Sequence, residues 1–158
     1  MKPWIQNISL ADIKRGFHFD AGSNSLLIQI VDPDMEFPEP KYKFKEVIQL
    51  KFLDVEHHDG IIYNDAITDD DAKIIAEALK MALDNCMNVV VHCHAGICRS
   101  GAVAEVGVML GFQDTETFRV PNLLVKRKLM EQLGMVFEEK DLEHHTINGI
   151  IVPEDWKA

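Results

Sequence analysis

The stretch Asn88-Val89-Val90-Val91-His92-Cys93-His94-Ala95-Gly96-Ile97-Cys98-Arg99-Ser100-Gly101-Ala102-Val103-Ala104-Glu105-Val106-Gly107-Val108-Met109-Leu110 holds three structural signals in succession. Its β-branched start reads as a buried strand. Its small, apolar end from Ala102 to Leu110 reads as a helix. The turn between them leaves backbone N–H groups free at a helix N-terminus, which is an anion site. A helix N-terminus and a neighbouring guanidinium favour a thiolate, moving a cysteine pKa from about 8.5 toward roughly 3.5–7.5. Cys93 is therefore a candidate nucleophile. Gly96 would allow a backbone turn closed to other residues, so that the amides of residues 94 to 99 converge as an anion nest.

Outward from this unit, strands alternate with helices. Ser25 to Val31 and Val47 to Leu53 read as strands, separated by a loop whose Pro38 and Pro40 exclude regular structure. Thr68 followed by Asp69-Asp70-Asp71 reads as a helix cap with acidic residues at the positive end. The stripe Ile74, Ile75, Ala78, Leu79, Ala82 and Leu83 continues that helix. Gly111 is a stop for the helix after the cysteine loop, and Pro121-Asn122 opens a last clear helix running to Gly134. Asn148-Gly149 fits the turn of a small hairpin. The expected fold is α/β in three layers: a central, mostly parallel twisted sheet of about four to five strands flanked by helices. No linker or repeat divides the chain, so residues 1–158 are read as a single domain.

Bulk properties narrow the function. The chain has 158 residues, 47% of them hydrophobic, and no apolar run long enough to span a membrane. Its start lacks the apolar core of a signal peptide, and three cysteines without an export signal suggest a reducing cytoplasm. A formal net charge of −10 argues against nucleic acid or an anionic membrane as partner. Size, acidity and the missing export signal together suggest a bacterial or phage cytoplasmic protein, with a monomer favoured.

The run His92-Cys93, five residues, Arg99-Ser100 resembles the signature of the cysteine-dependent phosphatases, with Ala95-Gly96 as in the dual-specificity branch. The resemblance covers roughly Val47 to Gly134; the first 40 and last 24 residues are less familiar. It implies a phosphomonoester hydrolase working through a cysteinyl-phosphate, without cofactor or metal, on phosphotyrosine and on phosphoserine or phosphothreonine in proteins or peptides. By that likeness His94, Ala95, Gly96, Ile97, Cys98 and Arg99 cradle the phosphate. Arg99, bidentate and always charged, clamps two of its oxygens. Ser100 donates a hydrogen bond to the sulfur, and His92 supports the loop backbone rather than moving protons. Arg119, Pro121 and Asn122 resemble the family's Arg and Pro-Asn pattern after the signature, with Asn122 supporting the loop. The family's general acid closes a short aromatic-x-Asp motif after a strand. Phe52-Leu53-Asp54 resembles it and makes Asp54 the expected acid; Asp59, in the polar turn His57-His58-Asp59-Gly60, is the alternative, and Asp65 a third.

Several readings stay open on the residues alone. A regulatory disulfide between Cys98 and Cys93 competes with Cys98 as a small packed side chain. Cys86 reads as a core residue. Zinc held by His92, Cys93, His94 and Cys98 is disfavoured, because a zinc site would not need Gly96, Arg99 and Ser100. Lys126-Arg127-Lys128 reads as the solvated face of a helix, and His57-His58 and His144-His145 as surface pairs. A phosphate-binding pseudophosphatase, or an enzyme for RNA 5′-phosphate or phosphoinositide, is the alternative function.

Overall fold

A computed structural model describes residues 2–56, 65–137, 146–147 and 150–151 of the chain. Five parallel strands form the central sheet: β1 (Trp4–Ser9), β2 (Ser25–Val31), β3 (Glu46–Lys51), β4 (Asn88–Cys93) and β5 (Gln113–Asp114). Their spatial order is β3-β2-β4-β1-β5, which puts the cysteine-bearing strand in the middle. Four helices flank the sheet: α1 (Leu10–Arg15), α2 (Asp69–Asp84), α3 (Arg99–Leu110) and α4 (Leu123–Gln132). The architecture is the expected α/β fold. Outside the sheet, β6 (Thr146–Ile147) and β7 (Ile150–Ile151) pair antiparallel, while Asn148-Gly149, expected as a hairpin turn, lies outside the described residues. None of the described helices is long and apolar enough to cross a membrane.

Strand periodicity splits β4 between the two faces of the sheet. Val89, Val91 and Cys93 join Ile28, Leu79, Val103 and Leu129 in the larger core under α2, α3 and α4. Val90 joins Leu27, Ile8 and Ile13 in a smaller core under α1. A strand covered on both faces reads as a near-continuous apolar run, which is why Val89 to Val91 shows no alternation.

Caps end the helices much as their sequences suggest. Thr68 Oγ1 accepts from the Asp71 amide at 3.0 Å while Asp71 accepts from the Thr68 amide at 3.1 Å, a complete capping box. Asn122 caps α4 by accepting from the Val125 amide at 3.0 Å. At the C-terminus of α2 the Met87 amide reaches Ala82 O and the Cys86 amide reaches Leu83 O, a Schellman closure. Cys86 occupies its left-handed position at φ 53° and is exposed, not a core residue.

The strand β1 and the helix α1 lie in the region the sequence left without a family likeness. In β1, Gln6 and Asn7 are buried between Ile5 and Ile8, which erases the apolar alternation. Each polar side chain is used: Gln6 Oε1 accepts from the Phe19 amide, and Asn7 Nδ2 donates to Gly96 O and Phe118 O. The helix α1 has six residues, too few for a helical stripe to register.

Candidate active site

Cys93 ends β4 and Arg99 begins α3, so the five residues between them form the turn at the carboxyl edge of the sheet. Gly96 makes that turn possible. Its φ is +77°, and a Cβ there would collide with the backbone of Ile8 and Ser9. The loop is then tied to its surroundings through its own carbonyls: Asn7 Nδ2 donates to Gly96 O at 2.7 Å and the Leu10 amide to His94 O at 3.1 Å. From the other side, the Val120 and Asn122 amides donate to Ile97 O and Cys98 O. With the carbonyls occupied outward, the amides are left for the inside of the turn. One of them, the Gly96 N–H, donates to Cys93 Sγ at 3.3 Å.

Cys93 is buried, with Ser100 Oγ 3.1 Å from its sulfur. Behind it the His92 ring is fully buried and Nδ1 lies 3.3 Å from Cys93 O, so the Nδ1–H tautomer donates there. Burial pushes the His92 pKa down to about 4; the Arg99 charge adds to that effect and the hydrogen bond to Cys93 O opposes it. The ring is thus neutral at physiological pH and holds the loop backbone.

Arg99 is only 4% exposed. Its Nη1 donates to Asp32 Oδ1 at 2.6 Å and to Phe52 O at 2.8 Å, while its Nε is buried without a hydrogen-bond partner among the described residues. Asp32, the residue immediately after β2, is not among those the sequence singles out. Nothing local marks it. Parallel pairing of β2 with β4 brings it to the carboxyl edge beside the cysteine loop.

Asp54 lies just after β3 and is exposed at the rim. Its Oδ1 accepts from Asn122 Nδ2 at 2.7 Å, and the same nitrogen lies 3.2 Å from Val55 O. Glu56 Oε1 accepts from the Leu123 amide at 2.6 Å, so the segment after β3 is fastened to the start of α4. Asp65 is exposed, its carbonyl accepting from the Leu53 amide. Asp59, with His57 and His58, lies outside the described residues. So does His144-His145.

Cys98 faces Asp54. Burial pushes its thiol pKa up to about 12, and the negative charges of Asp54, Cys93 and Glu56 push the same way, as does a hydrogen bond with Asp54. A thiol held protonated is a poor attacking group, which weighs against the Cys98–Cys93 disulfide; both cysteines are free. Among the described residues no three His, Cys, Asp or Glu side chains converge as metal ligands.

The lysine–arginine run of α4 is not a uniform solvated face. Lys126 is 3% exposed and stands 3.9 Å from Glu105, and Lys128 pairs with Asp69 at 2.7 Å. Arg119, buried as well, bridges Glu105 at 2.9 Å and Asp114 at 3.1 Å. This network braces α3 against the segment leading to α4, behind the cysteine loop. A scan against protein-family models and a search of curated proteins each found no match to the chain.

Proposed function

We propose that the chain is a cysteine-dependent phosphomonoester hydrolase of the dual-specificity or tyrosine phosphatase type, acting on phosphorylated proteins or peptides. The observation that carries this reading is the guanidinium of Arg99. A buried charged donor normally finds an acceptor, and leaving one unmet costs about 1–3 kcal/mol or more. Here Nη1 is anchored by Asp32 and Phe52 O while Nε has no hydrogen-bond partner among the described residues, in the same turn that holds the Cys93–Ser100 pair. A tetrahedral oxyanion held by Arg99 and the loop amides answers that vacancy.

The chemistry then follows from position. Cys93 sulfur attacks phosphorus, the P–O bond to the leaving group breaks, and the departing oxygen takes a proton from Asp54. Water, deprotonated by the same carboxylate, next attacks the cysteinyl-phosphate and expels the thiolate, which the Ser100 hydroxyl stabilises. Arg99 and the amides carry the charge of the equatorial oxygens in both steps. Asn122 holds Asp54 at the rim through a hydrogen bond from Nδ2 to Oδ1.

Purified protein should hydrolyse p-nitrophenyl phosphate in the presence of a chelator, and Cys93→Ser should abolish turnover while still binding a phosphopeptide. Full activity in Cys93→Ser, or strict dependence on added metal, would overturn the proposal. A comparison of phosphotyrosine and phosphoserine peptides with 5′-phosphorylated RNA and phosphoinositide vesicles identifies the substrate class.

A further inference from the structure

We infer that the chain carries a second ligand site, at the end of the sheet opposite Cys93, whose chemistry suits a small anion bearing an aromatic ring, such as a nucleoside phosphate. The site is a cavity of about 590 Å3 between the turn after α1 and the segment that leads into β3. Small-molecule pockets span about 300–1,000 Å3. Its position follows from strand register. Ser25 opens β2 opposite Asn88, the first residue of β4, whereas Cys93 is the last. A six-residue strand advances about 20 Å, so the cavity and the cysteine loop lie at opposite edges.

The lining combines aromatic surface with positive charge. The His18 ring stands edge-on to Tyr42, centroids 5.9 Å apart, and tilted against Phe44 at 5.7 Å. Tyr42 is more than half exposed, so this is an aromatic wall left open. Lys43 and Lys45 flank it, both exposed, and neither forms an ion pair with a described residue. In a chain of net charge −10 the lining is locally positive, with two lysines against one acid. The one acid in the lining, Asp20, turns Oδ1 to the Gly22 amide at 3.0 Å and so holds the turn. Gly16, at φ +76°, lets the turn close on the wall; a Cβ there would lie 2.5 Å from Tyr42 Cε2. Rings offer a stacking surface to a planar base, and the lysines offer point charges to a phosphate. An inorganic anion would leave the wall unused, and an uncharged aromatic the lysines.

None of these residues takes part in the proposed phosphatase chemistry, so either reading can fail without the other. The test uses full-length Cys93→Ser protein titrated with adenosine 5′-diphosphate by calorimetry and by amide NMR. Saturable one-to-one binding is expected, with shifts at residues 16–23 and 42–45, and with adenosine and inorganic diphosphate each at least tenfold weaker. Charge reversal by Lys43→Glu with Lys45→Glu, or Tyr42→Ala, should weaken the diphosphate at least tenfold. In the chain with Cys93 intact, the same surface substitutions should leave p-nitrophenyl phosphate turnover unchanged. Absence of saturable binding, affinity indifferent to these substitutions, or shifts confined to residues 94–100 would each overturn it.

Discussion

Asp32 and Arg99 make the most consequential contact at the level of single residues. An arginine that clamps a substrate must hold its fork in one plane, and long side chains lose rotamer entropy when they do so. Asp32 and Phe52 O meet that cost in advance by fixing Nη1 from two sides. Replacing Asp32 by Ala removes a charge-assisted hydrogen bond of about 1.5–3 kcal/mol, so kcat/KM should fall roughly 10–100-fold in a protein that stays folded. Steady-state kinetics alongside a thermal melt measure this. Unchanged kcat/KM would mean that Arg99 needs no outside support.

At the scale of elements, α4 links its own cap to the proposed acid through one side chain. Asn122 caps the helix with Oδ1 and holds Asp54 with Nδ2. Ser at this position retains capping and loses the reach to Asp54. Asn122→Ser should therefore melt within a few degrees of the parent yet lose activity selectively on alkyl phosphates, whose poor leaving groups need the acid, while aryl phosphates suffer less. Equal loss on both substrates would show that Asn122 serves only the fold. The end of α2 offers an independent test of local structure. Cys86 sits in the left-handed position of a Schellman closure, where glycine has no steric penalty. Cys86→Gly should raise stability by about 0.5–1 kcal/mol in urea denaturation, with activity unchanged.

For the whole molecule, the buried His92 sets an acid limit. Its folded pKa is about 4 against an ordinary value of 6.5, so the unfolded chain binds the proton first as pH falls. Stability is fully present above about pH 6.5 and declines between there and pH 4, by up to roughly 3 kcal/mol. Asp114 acts lower on the scale. The hydrogen bond from Arg119 holds its carboxyl below the usual range, so its contribution is present above the ordinary carboxylate pKa and lost as pH falls further. Urea titrations at pH 7, 5.5 and 4.5 on the parent and on His92→Asn, which retains a donor for Cys93 O, should differ in slope. Parallel losses in the two proteins would remove His92 as the cause.

Legibility in the sequence followed the locality of the signal. The strand Ser25–Val31, the capped helix after Thr68, the strand–loop–helix around Cys93 and the cap at Asn122 are each written in contiguous residues, through β-branched runs, a capping box and helical spacing. Those signals sufficed for the α/β class. The strand β1 was not legible, because Gln6 and Asn7 are buried to serve distant backbone groups, and burial of polar residues breaks the apolar period that marks a strand. Lys126 was misjudged for a related reason: an ion pair with Glu105 on another helix lets a lysine lie inside.

The sequence by itself determined that a cysteine, an arginine and a serine share one turn at a helix N-terminus, since they lie within eight consecutive residues between a strand and a helix and the glycine among them permits a tight turn. Only the tertiary structure decided what surrounds that turn. Asp32 comes from β2 to hold Arg99, Asn7 comes from β1 to hold the loop carbonyl, and Asn122 comes from α4 to hold Asp54. These partners lie dozens of residues apart along the chain, and no local pattern encodes a hydrogen bond across a sheet. Strand order brings them together, and strand order is set by burial of the whole core.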